Sequence, residues 1–202
     1  MTTPRDLLII AMDRASARPV EQGDLSLALA GAEVIDLLGA EAVRLDDDRI
    51  VPTLRPTIPD RLLDEAASSL AVEAPYESVD DWLWRRGRGL SAAYLAALET
   101  EGQFTQSRRH RWIPSRNSAT ELLDSAAHRQ AAERWSSGDP VLAALAAAVG
   151  ILDEETADLP SVTDDAVATV LAAVHDAVRE LDGERQRRVI EDAAFDNIWR
   201  GE

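Results

Sequence analysis

The chain has no cysteine and no lysine: all 21 of its basic residues are arginine. Without cysteine there is no disulfide, no Cys-ligated zinc and no thiol nucleophile, and the chain suits a reducing compartment. Without lysine there is no Walker A phosphate loop and no Schiff-base chemistry. Histidine is scarce, with His110, His128 and His175 in no H-E-x-x-H or H-x-x-x-H spacing. His128 lies one turn after Asp124, a common surface pair rather than a metal site. No G-x-S-x-G elbow is present, and Gly87–Arg88–Gly89 is half of a dinucleotide fingerprint that follows a helical pattern instead of a strand. The adjacent carboxylates Asp64–Glu65 and Asp80–Asp81 fall where first-turn helix acids are expected. Together these absences predict a non-enzyme with no catalytic residues, no metal and no cofactor.

Long apolar runs are also missing. Val141 to Leu152 is the longest, well short of the roughly 20 residues a bilayer span needs, and reads as a buried core helix. Leu7 to Ile10 is too short and too closely flanked by Asp6 and Asp13 for a secretory signal. The expectation is a soluble, cytoplasmic protein whose membrane contact, if any, is peripheral at the inner face of the membrane.

What is present is mostly helical periodicity. Asp24 is placed to cap a helix reaching about Leu38, with Leu25, Leu29, Ala32, Ile35 and Leu38 on one face. Leu7 to Met12 reads as a short strand or a helix start. Val43–Leu45 and Ile50–Val51 flank Asp46–Asp47–Asp48, a hairpin turn that lacks the spacing, glycine and final glutamate of an EF-hand. Prolines 52, 56 and 59 mark an extended linker. Asp60 opens the next helix, and Ser78 with Asp81 forms a capping-box pattern for another. A helix from Leu90 to Glu101 stops at Gly102, and Phe104 to Ile113 resembles a hairpin with Ser107 to Arg111 at its tip. Ser118 with Glu121 suggests a helix from there to about Trp135, and Asp139–Pro140 starts the Val141 helix. Two closing helices are expected, Asp164–Leu181 and Glu184–Arg200. The fold class is mainly α: a helical core, surrounding amphipathic helices and one or two short β-hairpins, as one domain over residues 1–202.

Charge is the most informative feature. The net charge is −16, which repels nucleic acid and anionic lipid if spread evenly. It is not spread evenly. Trp82 to Arg134 holds nine arginines and five acids, a local balance of +4, and the remainder of the chain stands at −20.

Several segments in order resemble the Golgi phosphoprotein 3 family. Asp6–Leu7–Leu8–Ile9–Ile10–Ala11–Met12–Asp13 is similar to its opening apolar segment. Ala28–Leu29–Ala30–Gly31–Ala32 with Ile35–Asp36–Leu37 is similar to its first core helix. Pro56–Thr57 followed by Leu62–Leu63–Asp64–Glu65–Ala66 carries the most specific likeness. Ser78–Val79–Asp80–Asp81–Trp82 and the stretch Leu95 to Phe104 complete it. The chain looks like a bacterial-type member. The resemblance implies a helical fold with short hairpins, phosphatidylinositol-4-phosphate binding in eukaryotic members, and a link from membranes to a protein partner that the sequence does not name. The tryptophan and three arginines of that head-group pocket fall here on Glu21, Ala30, Arg88 and Ser91, so Arg88 alone keeps its type. A general anionic membrane surface, rather than a phosphoinositide, is the implied partner.

The residues of the basic segment allow three readings. Trp82 and Trp84 stand about 200° apart on a helix, so Trp82 faces inward beside Val79 and Leu83 while Trp84 faces out. Trp84, Arg85, Arg88, Arg108, Arg109, Arg111 and Trp112 are then the candidate lipid head-group or anion-binding residues, tryptophan at head-group depth and guanidinium on phosphate. In the plainer reading, the arginines pair with the chain's own carboxylates, within one molecule or across a homo-oligomer. In the third, Leu90 to Gly102 with the Ser107–Arg111 tip is a winged helix on DNA, but Ala92 to Glu99 lacks the Arg, Asn or Gln that reads base edges. Replacing Arg108, Arg109 and Arg111 together by Ser is expected to release the protein from anionic liposomes in a sedimentation assay while circular dichroism stays unchanged.

Overall fold

The computed structural model describes residues 2–15, 18–53, 56–102, 104–106, 120–122, 125–152 and 162–199. Helix α1 (Thr3–Arg14) settles the first ambiguity. Pro4 presets the first turn, and every residue from Thr3 to Ala11 is buried, so the apolar run is covered all around a helix instead of on one face of a strand.

Helix α2 (Gln22–Gly39) is the centre of the fold. It starts two residues ahead of Asp24, with Glu21 at the N-cap. Ala28, Leu29, Ala30, Ala32, Glu33 and Val34 are completely shielded from solvent. Small side chains at 28, 30, 31 and 32 let neighbouring helices close in, and α1, α4 (Val79–Arg86), α5 (Leu90–Thr100) and α8 (Asp165–Trp199) all pack on it. The approach is close at Gly31, where an added Cβ would lie 2.2 Å from a Val174 methyl of α8.

The Asp46–Asp48 run is a hairpin turn, as its flanks imply. Strands β1 (Val43–Asp46) and β2 (Arg49–Pro52) pair antiparallel, Val43 opposite Pro52 and Asp46 opposite Arg49. Helix α3 (Arg61–Ser68) is capped by Asp60, whose carboxylate accepts from the Leu63 N–H at 3.0 Å. Helix α4 is capped by Ser78, which accepts from the Asp81 N–H and donates its hydroxyl to the Asp81 carboxylate. Helix α7 (Pro140–Ala148) is capped by Asp139, accepting from the Leu142 N–H at 2.9 Å.

Three expectations need correction. The second hairpin is wider than Phe104–Ile113: β3 (Phe104–Gln106) pairs with β4 (Thr120–Leu122), Phe104 opposite Leu122. Ser118 and Glu121 therefore do not open a helix. A capping box is worth only about 1 kcal/mol, too little to compete with a long-range strand pairing, and Ser125 caps α6 (Ala126–Ser136) instead. The two closing helices are one helix, α8, 35 residues long. The chain runs through the expected gap at 182–183 because one glycine costs about 1 kcal/mol in a helix and no proline stands nearby to remove a hydrogen bond. The tip Ser107–Arg111 with Trp112 lies outside the described residues.

The core is one apolar cluster running through α1, α2, α4, α5, α7 and the first half of α8. The Val141–Leu152 segment belongs to it, with Leu142 and Leu145 fully buried and Val141, Ala148 and Leu152 partly so. A carboxylate at position 145 would have no partner there, at a cost of several kcal/mol against a whole-domain stability of about 5–15 kcal/mol. Leu145→Asp should therefore fail to fold, and Gly31→Leu should separate α8 from α2. Loss of the cooperative thermal transition in each is the check, and a folded Leu145→Asp protein would contradict this packing.

Candidate functional site

Three arginines near the end of α4 meet three different environments. Arg86 points into the core, its Nε and Nη2 donating to the Glu33 carboxylate at 2.8 and 2.9 Å, with a further bond to the Leu62 carbonyl. Glu33 is fully buried and also accepts from the Tyr94 hydroxyl at 3.1 Å. Burial pushes the Glu33 carboxyl above its ordinary range, against the opposing pull of Arg86. Removing one partner of such a pair costs about 3–5 kcal/mol, because the other is left charged and dry. Arg85 lies on another face. It forms a two-point pair with Glu77 at 2.6 and 2.7 Å, and its guanidinium stacks 5.0 Å from the Trp82 ring centre. Arg88 is exposed and, among the described residues, has no hydrogen-bond or ion-pair partner.

Arg88 stands at the rim of a cleft of about 290 Å³. Its walls are the first turn of α2 (Gln22, Gly23, Ser26), Trp84 and Gly87 of the α4 end, the first turn of α5 (Gly89, Ser91, Ala92) and Leu181 of α8. Trp82 is fully buried, its indole N–H donating to the Ala30 carbonyl at 3.1 Å, while Trp84 is half-buried, as the 200° separation requires. Gly89 has φ of 71°, a conformation glycine adopts without strain, and this turns the chain sharply from α4 into α5. Neither α2 nor α5 has a side-chain cap, whereas α3, α4, α6 and α7 all do. Helix α2 thus opens on the cleft with first-turn N–H groups that no side chain caps and favours negative charge there, whereas the start of α5 is closed by Ser26 of α2. At its floor the Ser26 hydroxyl accepts from the Ser91 N–H at 3.1 Å and donates to the Ser91 hydroxyl at 2.9 Å.

The structure therefore brings Trp84 and Arg88 together and places Arg85 in a separate, neutralised contact. Arg108, Arg109, Arg111 and Trp112 lie outside the described residues, in the connection between β3 and β4. Of the positions matched to the eukaryotic pocket, Arg88 and Ser91 line the cleft, Glu21 is at the exposed start of α2 and Ala30 is buried. Leu181 and Arg185 were missed by the sequence reading. Arg185 reaches α2 across 161 residues of chain to bind Asp24, and no local spacing signals that. Helix α5 buries Leu90, Ser91, Tyr94, Ala97 and Leu98 and exposes Ala92, Ala93, Ala96, Glu99 and Thr100, a face without a base-reading side chain.

A second, larger charged cluster surrounds α1. Arg5 binds Asp60 and, at 2.6 and 2.8 Å, Glu101, beside a cleft of about 480 Å³. Asp6 and Asp139 share Arg134, and Asp36 accepts from the Thr3 N–H and hydroxyl. These contacts join α1 to α2, α3, α5, α6 and α7. Among the described residues no group of acids and histidines is arranged to hold a metal ion.

The architecture is that of a helical protein with a half-apolar, cation-rimmed cleft formed by helix starts, and no helix among the described residues is long and apolar enough to cross a membrane. The chain belongs to the Golgi phosphoprotein 3 (GPP34) family, whose model matches residues 4–193. A search of curated proteins found no match.

Burial raises the carboxyls of Asp6, Asp24, Glu33 and Asp36, while Arg134 and the backbone lower that of Asp139 against its burial. A raised folded-state value means that the folded protein binds protons more tightly than the unfolded chain. The stabilisation is complete below the free-carboxyl range of 3.8–4.5 and is lost as pH climbs through the folded values. Four raised groups against one lowered group predict a thermal midpoint that falls as pH rises above the free-carboxyl range. Asp36→Asn, which keeps an acceptor for the Thr3 N–H, should flatten that slope. A midpoint that rises over the same window would contradict this reading.

Proposed function

We propose that this protein is a non-enzymatic peripheral adaptor that binds anionic lipid head groups at the cytoplasmic membrane surface. The observation that carries this reading is Arg88, an arginine without a partner among the described residues, set beside a half-buried tryptophan at the rim of a cleft where the uncapped helix α2 begins. An indole at head-group depth with a guanidinium on phosphate is a favourable arrangement at an anionic interface. Among the described residues the cleft offers one cation without a partner and one open helix start, which suits a single phosphate better than a multiply phosphorylated head group. The connection between β3 and β4, with Arg108, Arg109, Arg111 and Trp112, belongs to the same proposed surface. The acidic remainder of the chain then faces away from the membrane and is available to a protein partner.

Arginines near an anionic surface contribute about 1 kcal/mol each, and salt screens them over about 10 Å. Arg88→Gln should therefore weaken binding to phosphatidylcholine vesicles containing phosphatidylglycerol about fivefold at low salt, with a smaller effect at high salt. Vesicle flotation at two salt concentrations measures this. Equal flotation with neutral and anionic vesicles, or with neither, would remove the physical basis of the adaptor reading.

A further inference from the structure

Helix α8 divides into two unequal halves. Its first half is anchored in the core by Val170, Val174, Ala177 and Val178, all buried, and by the close approach at Gly31. Beyond Val178 its described contacts with α2 are Leu181, which lines the Trp84–Arg88 cleft, and Arg185 one turn later. From Gln186 to Glu191 every side chain is exposed.

Arg185 is held in an incomplete contact. Its Nη1 lies 2.8 and 3.0 Å from the two Asp24 oxygens, but only Oδ2 accepts with hydrogen-bond geometry, and the buried Oδ1 is left without a bond. Among the described residues, Nη2 has no hydrogen-bond partner. Nη2 lies against two residues of the cleft wall from behind: a Cβ on Gly23 would sit 2.8 Å from it and 2.8 Å from a Leu181 methyl. Gly23 is itself part of that wall, so the missing side chain is what lets the guanidinium rest on the first turn of α2. Glu21 and Asp182 lie close enough to act on Asp24, so carboxylates outnumber cations around the Asp24–Arg185 pair.

We propose that Arg185 is a second anion-binding residue of this cleft, delivered from α8 to its Gly23–Leu181 side, with Asp24 as its counter-ion until a phosphate group takes that place. A phosphate between the two arginines takes the free Nη2 edge of one guanidinium and the exposed guanidinium of the other, a pairing of fixed donors with oxyanion that arginine suits. The assignment rests on the head-group reading above and names a residue that the sequence offered no reason to select.

The test uses the full chain and vesicles of phosphatidylcholine with phosphatidic acid, phosphatidylcholine with phosphatidylglycerol, and phosphatidylcholine alone. Arg185→Gln should weaken binding to both anionic vesicles about fivefold, as Arg88→Gln does, and the double variant about 25-fold. Asp24→Asn, which frees the guanidinium, should bind at least as tightly as the wild type. These opposite signs separate the proposal from two alternatives. If the Asp24–Arg185 pair only supports the fold, both variants bind more weakly and melt earlier; if it only holds α8 over the cleft, both bind more tightly. Either result overturns the assignment. Should Arg185→Gln fail to fold, Asp24→Asn/Arg185→Gln removes both halves of the pair and is compared with Asp24→Asn alone; equal binding overturns the proposal. Inorganic phosphate is the soluble arm. Displacement that requires Arg185 assigns the cleft to the phosphate group itself, and no displacement assigns it to a head group at the membrane. Wild-type binding lost in Arg88→Gln but kept in Arg185→Gln refutes Arg185 alone, whereas a wild type that ignores anionic vesicles refutes the membrane reading first.

Discussion

The Glu33 carboxylate, fully shut off from water in the middle of the central helix, sets the condition the rest of the fold meets. An unpaired charge there would cost more than the domain can supply. Arg86 of α4 and Tyr94 of α5 converge on it, so α2, α4 and α5 are fixed relative to one another by charge geometry as well as by apolar contact. The indole N–H of Trp82 on the Ala30 carbonyl adds a second polar tie between α4 and α2, three residues away along α2. Once these ties hold the end of α4, the turn at Gly87–Gly89 must leave the body where it does, and Arg88 is carried to the rim of the cleft.

The same logic separates the neighbouring arginines. A run of Arg85, Arg86 and Arg88 reads as one basic patch, but helical rotation sends each in a different direction. One closes a buried pair, one is neutralised by Glu77 and lies over the ring of Trp82, and one remains without a partner among the described residues. The plainer reading of the basic segment is thus right for two of the three. Net charge along a segment does not measure the charge available to a ligand, because acids outside the segment, Glu77 just before it and Glu33 far from it, are returned to it by folding.

The elements legible in the sequence were those with local physical causes. Asp60, Ser78 and Asp139 could be assigned as caps because the bond they make spans three residues. The Asp46–Asp48 turn was legible because its flanking strands are adjacent in the chain. The failures were non-local. Ser118 and Glu121 have the spacing of a cap, but β4 pairs with β3 across the 107–119 connection. Gly183 looks like a helix end, but nothing in its surroundings requires one. Asp24 looks like a cap, but its carboxylate serves Arg185 instead.

The sequence by itself determined the helical class, the core segments, the inward face of Trp82, the more outward placement of Trp84 and the family resemblance. Each follows from a period of 3.6 residues or from an ordered series of short motifs, and neither needs knowledge of a distant partner. Only the tertiary structure decided which arginines are free, which helix starts lack caps, and which part of α8 lies beside the cleft. Those properties depend on pairs such as Arg86–Glu33, separated by 53 residues, and Arg185–Asp24, separated by 161. A guanidinium carries its charge wherever it is placed, and whether that charge is answered from within is settled only when the chain has closed on itself.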